Sequence, residues 1–280
     1  MIRLATLKDL NTLVPFIYQM NQRPEYYSGY MSLLEESIQN DVRQAIQQEG
    51  VLVVETDNIQ GVLVTHKNIE HKTIDVAGPY VIDADETTGK AFIQHVLTSF
   101  DCYALNFFFS DTSTYYHSLM TYFKAIDGGV EDILTLHEVE PYRGLHHVDV
   151  RRLEPNDHTT IKTMHDHIFP NAYIKGEALI EPSPHKETFV AIKEDDLIGY
   201  AHVKQMSLKA MLEVFALKAD ARDKGYAKPF LTHVLHTVLN KPNVQTIELV
   251  VEAPNHKAIA LYEALGFTLK QRNRAFTLHK

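Results

Sequence analysis

The pattern that most restricts the fold of this 280-residue chain is a repetition of strand and helix signals about half a chain apart. Ile2-Arg3-Leu4-Ala5 followed by Thr6-Leu7-Lys8-Asp9-Leu10 reads as a short strand and then the capped start of a helix. Val148-Asp149-Val150-Arg151-Arg152-Leu153 followed by Glu154-Pro155-Asn156-Asp157-His158 reads the same way. Each half continues with a hairpin signature of β-branched and apolar runs around turn formers. The first hairpin is Val51–Glu55, a turn over Thr56–Gln60, and Gly61–Val64; the second is Thr188–Ile192, a turn over Lys193–Asp196, and Leu197–Ala201.

The parallel then extends further. A strand (Ile74–Ile82; Met211–Leu217) runs into a glycine-containing turn and an apolar helix (Ala91–Ser99; Ala227–Leu239). Another strand (Tyr103–Phe109; Thr246–Val251), a second helix and a closing extended segment complete each half. A repeat this long defines two similar domains, because solenoid units are far shorter. The order of elements predicts an α/β (α+β) mixed sheet covered by helices. The expected division is 1–143 and 144–280, at the turn-rich Pro141-Tyr142-Arg143-Gly144.

Charge is divided unevenly between these halves. Residues 1–143 carry nine Lys and Arg against 20 Asp and Glu, a balance of −11, whereas the remainder balances at +2. Polyphosphate binding needs a continuous basic surface, so nucleic acid is not an expected partner. A small anion on the second half is compatible with the split. No apolar run reaches the roughly 18 residues of a membrane span, and the N-terminus lacks a secretory pattern. A cytoplasmic location is the expectation. Cys102 is the only cysteine, which excludes an intrachain disulfide and a CxxC metal site. The histidine pairs His146-His147, His165-x-His167 and His233/His236 have no acidic or cysteine partner at a recurrent spacing, so no metal is expected. No Gly-x-Ser-x-Gly elbow is present.

The chemistry concentrates in Ala219-Asp220-Ala221-Arg222-Asp223-Lys224-Gly225-Tyr226-Ala227-Lys228, between a strand and a helix. Gly225 permits close backbone approach. The helix that follows leaves its first N–H groups unpaired, with the positive end of its dipole there. Arg222, Lys224 and Lys228 add positive charge, so the segment reads either as a phosphate cradle or as a strand-to-helix turn with solvated charges.

Arg222-x-x-Gly225-x-Ala227 resembles the pyrophosphate-binding motif of the GCN5-related N-acetyltransferase (GNAT) superfamily. Glu213-Val214-Phe215-Ala216-Leu217 resembles that family's fourth strand, and Asn255 to Phe267 is similar to its N-x-x-A-x-x-L-Y-x-x-x-G-F block. The resemblance covers His146 onward, and doubling it implies a tandem GNAT-like protein. It implies acetyl-CoA as co-substrate, held by Phe215, Ala216, Leu217, Arg222, Asp223, Lys224, Gly225, Tyr226, Ala227, Lys228, Asn255 and Tyr262. Tyr262 would donate a proton to the departing thiolate, and Glu213, acting through water, would be the general base. Each has a structural reading beside it. Asn255 is also a favoured helix N-cap, Tyr262 a buried tyrosine, and Glu213 a salt-bridge partner or edge residue. Strand alternation puts Glu213 on the face of Phe215 and Leu217, opposite Val214 and Ala216.

Aligning Gly89 with Gly225 puts Glu86 in the place of Arg222, with Asp83 and Asp85 nearby. Carboxylates there repel a diphosphate. The first half is therefore expected to be a GNAT-like domain without CoA binding. The resemblance implies N-acetyl transfer from acetyl-CoA to the primary amine of a small molecule or peptide, by direct attack in a ternary complex. The alternatives are a non-catalytic acyl-CoA sensor or scaffold and, less in keeping with the charge, an aminoacyl transferase using tRNA-borne donors. Oligomeric state is not legible.

Overall fold

Both halves begin with the same ionic clamp. Arg3 on strand β1 (Ile2–Leu4) donates to both oxygens of Asp9 at 3.0 Å, and the Asp9 carboxylate accepts the Thr6 N–H at 2.7 Å. Arg151 on β7 (Asp149–Arg152) does the same to Asp157 at 2.6 and 3.0 Å, and Asp157 accepts the Glu154 N–H at 2.9 Å. A guanidinium and a carboxylate matched two-to-two fix the angle at which each strand turns into its helix. The Arg3 bonds hold Asp9 down at about 2.

The computed structural model describes residues 2–279 except 70, 101, 102, 145, 171 and 207; Cys102 thus lies outside the described residues. Two compact units emerge: residues 1–131 with 271–280, and residues 132–270. The first holds α1 (Leu10–Asn21), α2 (Glu35–Gln47), β2 (Val51–Glu55), β3 (Ile59–Asn68), β4 (Thr73–Val81), α3 (Glu86–Ser99), β5 (Ala104–Ser110) and α4 (Thr114–Phe123). Its sheet runs β1-β2-β3-β4-β5, and beside β5 lies the end of the last strand, with Asn273 to Leu278 antiparallel to Ser110 to Leu105. α1 buries Leu10, Leu13, Val14, Ile17 and Met20, one stripe at helical spacing.

The second unit holds β7, α5 (His158–Ile168), α6 (Gly176–Ile180), β8 (Lys186–Lys193), β9 (Asp196–Met206), β10 (Lys209–Leu217), α7 (Ala227–Leu239), β11 (Thr246–Glu252) and α8 (His256–Glu263). Its sheet runs β7-β8-β9-β10-β11, antiparallel except for the parallel β10–β11 pair. Glu194 and Asp195 take φ of 51° and 64° in the β8–β9 turn, the left-handed pair that matches strand twist. Phe230, Leu231, Val234, Leu235 and Val238 of α7 are buried against the sheet. α5 and α6 supply Ile161, Met164 and Leu179 to a separate cluster with Val190, Tyr200 and Ala216. That cluster defines the other face.

The units do not divide at Pro141–Gly144. The strands β6 (Ile126–Leu136) and β12 (Thr268–Leu278) each serve both units, β6 passing from the first at Asp132 and β12 returning to it at Gln271. A strand's alternation shows that it pairs, not with which sheet. A second difference is the start of α3, which begins at Glu86 rather than near Ala91 because Asp85 caps it.

Candidate active site

β10 and β11 pair over only Lys209 to Met211 with Thr246 to Glu248. Immediately afterwards β10 carries an irregularity between Leu212 and Val214 that places Glu213 in a bulge. From Leu212 to Leu217, β10 remains bonded to β9 but has no β11 ladder partner. Backbone groups along Val214–Leu217 therefore face a wedge between two diverging strands, where an extended ligand can bond as a further strand would.

The bulge also corrects the expected orientation of Glu213. Its Oε2 lies 3.7 Å from Nε2 of His202. The partner of His202 across the strands, Thr188, donates to the Leu179 carbonyl of α6, so this is the α5–α6 face. Phe215 instead packs on Phe230 of α7, with ring centroids 6.0 Å apart. An inserted residue resets alternation, which puts Glu213 on the side of Val214 and away from Phe215. Burial pushes the Glu213 carboxyl up, against the downward pull of Lys204 and Lys186.

At the mouth of the wedge, Arg222 Nε donates to the Leu217 carbonyl oxygen at 3.0 Å and folds the turn back on the strand end. Asp223 and Gly225 follow with φ of 60° and 80°. The ring of His146 lies against Gly225, 2.7 Å from where a Cβ would stand, so any side chain at Gly225 meets both strain and a neighbour. Tyr226 precedes α7 without a side-chain cap, and Pro229 contributes no N–H. The N–H groups of Ala227 and Lys228 thus open the helix without a side-chain acceptor. Lys224 and Lys228 are exposed, while Asp223 is taken up by Lys257 at 2.5 Å. Between α5 and this turn is a cavity of about 720 Å³, lined by Thr160, Thr163, His167, Lys218 and Arg222 among others.

On α8, Asn255 Oδ1 accepts from the Ala258 N–H at 3.2 Å, which makes its capping role a structural fact. Tyr262 is half-buried, edge-on to Phe267 at 5.7 Å, and burial pushes its hydroxyl up to about 12. It shares a cluster with Phe215, Ala227 and Ala258. Gly266 ends the segment at φ 98°.

The first unit shows what happens when the same turn is closed. Asp85 accepts from the N–H groups of Thr87 and Thr88 at 3.1 and 3.2 Å, which puts a carboxylate where an anion would sit. Gly89 falls inside α3, and the Tyr115 hydroxyl fills the space that a Cβ there would take. α4 and α8 have side-chain caps at Ser113 and Asn255 and left-handed ends at Lys124 and Gly266, so Met120 stands where α8 has Tyr262. Replacing Asp85 with Ala is expected to lower stability by about 1 kcal/mol, read as a lower urea midpoint with an unchanged slope. Because Thr88 and the backbone depress the Asp85 pKa, this contribution is present above the unfolded carboxylate pKa and disappears as pH falls through the folded one.

Sequence reasoning missed Thr188 and His202. His202 was visible as an ionisable residue on the apolar strand Gly199-Tyr200-Ala201-His202-Val203, but its partners depend on strand register. His165, singled out in sequence, bonds Tyr200 and the Ile174 carbonyl at 2.6 and 2.7 Å. Among the described residues no group of three or more His, Cys, Asp or Glu is arranged to hold a metal. No helix among them is long and apolar enough to cross a membrane.

The second unit thus combines a parallel strand pair that parts after three residues with a helix N-terminus that no side chain of its N-cap residue closes. Residues 153–267, inside the second unit, match the acetyltransferase (GNAT) family. A GCN5-related N-acetyltransferase from Sphaerobacter thermophilus aligns with a TM-score of 0.72 at 14% identity, over 99% of this chain and 94% of its own. A tandem GNAT protein from the clavulanic acid biosynthesis pathway aligns at 0.64 and 13%, over 99% and 97%. A GCN5-related N-acetyltransferase from Kribbella flavida aligns at 0.59 and 11%, over 86% and 94%. At these identities the likeness is one of fold, and it covers the doubled architecture. No curated protein matches the chain in sequence.

Proposed function

We propose that the second unit transfers the acetyl group of acetyl-CoA to a primary amine of a small molecule or peptide by direct attack. The observation that carries this reading is the unpaired β10 edge leading into the side-chain-free N-terminus of α7 across Gly225. Val214 to Leu217 would bond the pantetheine arm as a strand bonds its neighbour. The N–H groups of Ala227 and Lys228, with Arg222, Lys224 and Lys228, would hold the diphosphate. The amine nitrogen forms the new bond to the acetyl carbon as the carbon–sulfur bond breaks. Glu213, through water, takes the amine proton, and the Tyr262 hydroxyl gives one to the departing sulfur. Tyr262 is protonated at neutral pH, its hydroxyl pushed up to about 12 by burial, and so has a proton to give.

The first unit, which takes in most of the sequence half 1–143, serves as a GNAT-like partner that binds no CoA. Asp85 on the first N–H groups of α3 and Met120 in place of a tyrosine support this role. The acidic balance of that half is compatible with a cationic acceptor, and equally with a solvated acidic surface.

Calorimetric titration with acetyl-CoA, followed by CoA release over a panel of amines, tests the reading. Micromolar binding with turnover of at least one amine is expected. Absence of binding at millimolar acetyl-CoA would sink it, and binding without turnover on a broad panel would favour a sensor or scaffold. Glu213→Gln should cut turnover about 100-fold with binding retained. The acid limb of the wild-type rate should lie above the ordinary carboxylate value of 4.5, because burial raises the carboxyl that must be ionised to act as base.

A further inference from the structure

Thr188, His202 and Glu213 form a chain whose hydrogens can be assigned from the contacts. The Thr188 hydroxyl has one hydrogen, and it goes to the Leu179 carbonyl at 2.7 Å. Thr188 Oγ1 also lies 2.7 Å from His202 Nδ1, so in that contact the ring must be the donor. A neutral imidazole with its hydrogen on Nδ1 has a bare lone pair on Nε2. That atom is buried, has no hydrogen-bond partner among the described residues, and stands 3.7 Å from Glu213 Oε2. His202 is 1% exposed, and the Glu213 side chain 19%.

Two acceptors thus face each other whenever Glu213 is ionised. When Glu213 carries a proton, a small rotation of its side chain makes an O–H···N bond instead. We propose that His202 is a positioning residue for Glu213, accepting through Nε2 the hydrogen bond of the protonated carboxyl in a ring tautomer locked by Thr188. The lone pair stabilises the neutral form of the acid, so Glu213 holds the proton it has received more firmly and is a stronger base. The proton stays on the carboxyl rather than the ring, since burial pushes His202 down to about 4 and Glu213 up.

The other charged groups around the pair do not change its sense. Lys186 on β8 and Lys204 on β9 face Glu213 and favour its ionised form, which the lone pair opposes. Lys186 and His165 both disfavour a charge on His202. On the covering helices, Tyr200 occupies His165, and Glu177 is paired with Lys162. The catalytic consequence rests on the proposed acetyl transfer, whereas the proton arrangement does not.

The experiment is nuclear magnetic resonance on the full chain without ligand, reading ¹⁵N shifts of His202 and the ¹³C carboxyl titration of Glu213. Wild type should show the Nδ1–H tautomer of His202 from pH 5 to 8 and a Glu213 midpoint above 4.5. In Thr188→Val the ring is free to place its hydrogen on Nε2 and donate to the carboxylate. The Glu213 midpoint should then fall by about one pH unit, a tenfold loss of proton affinity, while Thr188→Ser keeps the wild-type value. The acid limb of turnover should move with the midpoint. An Nε2–H tautomer in wild type overturns the proposal without any variant, and an unmoved midpoint in folded Thr188→Val does so as well. Full turnover in Glu213→Gln overturns the base assignment, and the titration distinguishes the two failures because it involves no turnover.

Discussion

Tyr262→Phe is expected to reduce the rate of CoA release by about 100-fold or more while leaving the affinity for acetyl-CoA within about two-fold. The substitution removes one hydroxyl and keeps the ring that packs on Phe267 within the α7–α8 cluster, so the wedge retains its walls. In the proposed mechanism, what is lost is the proton for the leaving sulfur. A thiolate leaves less readily into a half-buried site without a donor, because the new charge has no hydrogen bond. The Tyr262 hydroxyl is protonated at working pH, burial having pushed it up to about 12, and it can hydrogen-bond the sulfur as charge develops there. Single-turnover CoA release and calorimetry on the same preparation separate the two effects. Unchanged turnover would remove Tyr262 from the chemistry and leave it as a packing residue.

The second large effect is expected at the turn. Arg222→Glu should weaken acetyl-CoA about 10- to 100-fold, and more steeply at low salt than at high. The change removes a cation and adds an anion beside Asp223, so a bound diphosphate loses an attraction and gains a repulsion. Two such terms at several ångströms are worth roughly 1 kcal/mol each near a surface, and 1.4 kcal/mol is tenfold. It also removes the bond from Nε to the Leu217 carbonyl that holds the turn onto the strand end. Arg222→Gln separates these contributions, since it loses the charge and retains a donor. It should fall between wild type and Arg222→Glu in calorimetric affinity. Equal affinity of all three proteins would exclude the turn as the anion site. The first unit carries an anion at the corresponding helix start, where Asp85 accepts from the first N–H groups of α3.

Much of the local structure of the candidate site was legible because its parts lie close together in sequence. The helix after the turn runs over Ala227–Leu239, as apolar periodicity and the preceding glycine require. Asn255 caps α8, and Gly225 and Gly266 take the left-handed backbone that glycine permits. The repeat was legible for the same reason: Arg3 with Asp9, and Arg151 with Asp157, are clamps made within a few residues of chain. The early start of α3 also has a local signal, Asp85 as N-cap, which an alignment of Gly89 with Gly225 hides.

The amino-acid sequence by itself thus determined the two-fold repetition, the glycine turn with its basic residues, the helix that follows it, and the acidic closure of the equivalent turn in the first half. Tertiary structure alone decided the rest. The bulge at Glu213 turns that carboxylate from the Phe215 side towards His202, and a strand's alternation carries no mark of where an extra residue is inserted. Thr188 reaches His202 only because β8 and β9 pair in one register, and a slip of one residue would separate them. The membership of β6 and β12 in two units is of the same kind, for pairing of distant strands is settled by the edges available in the folded chain.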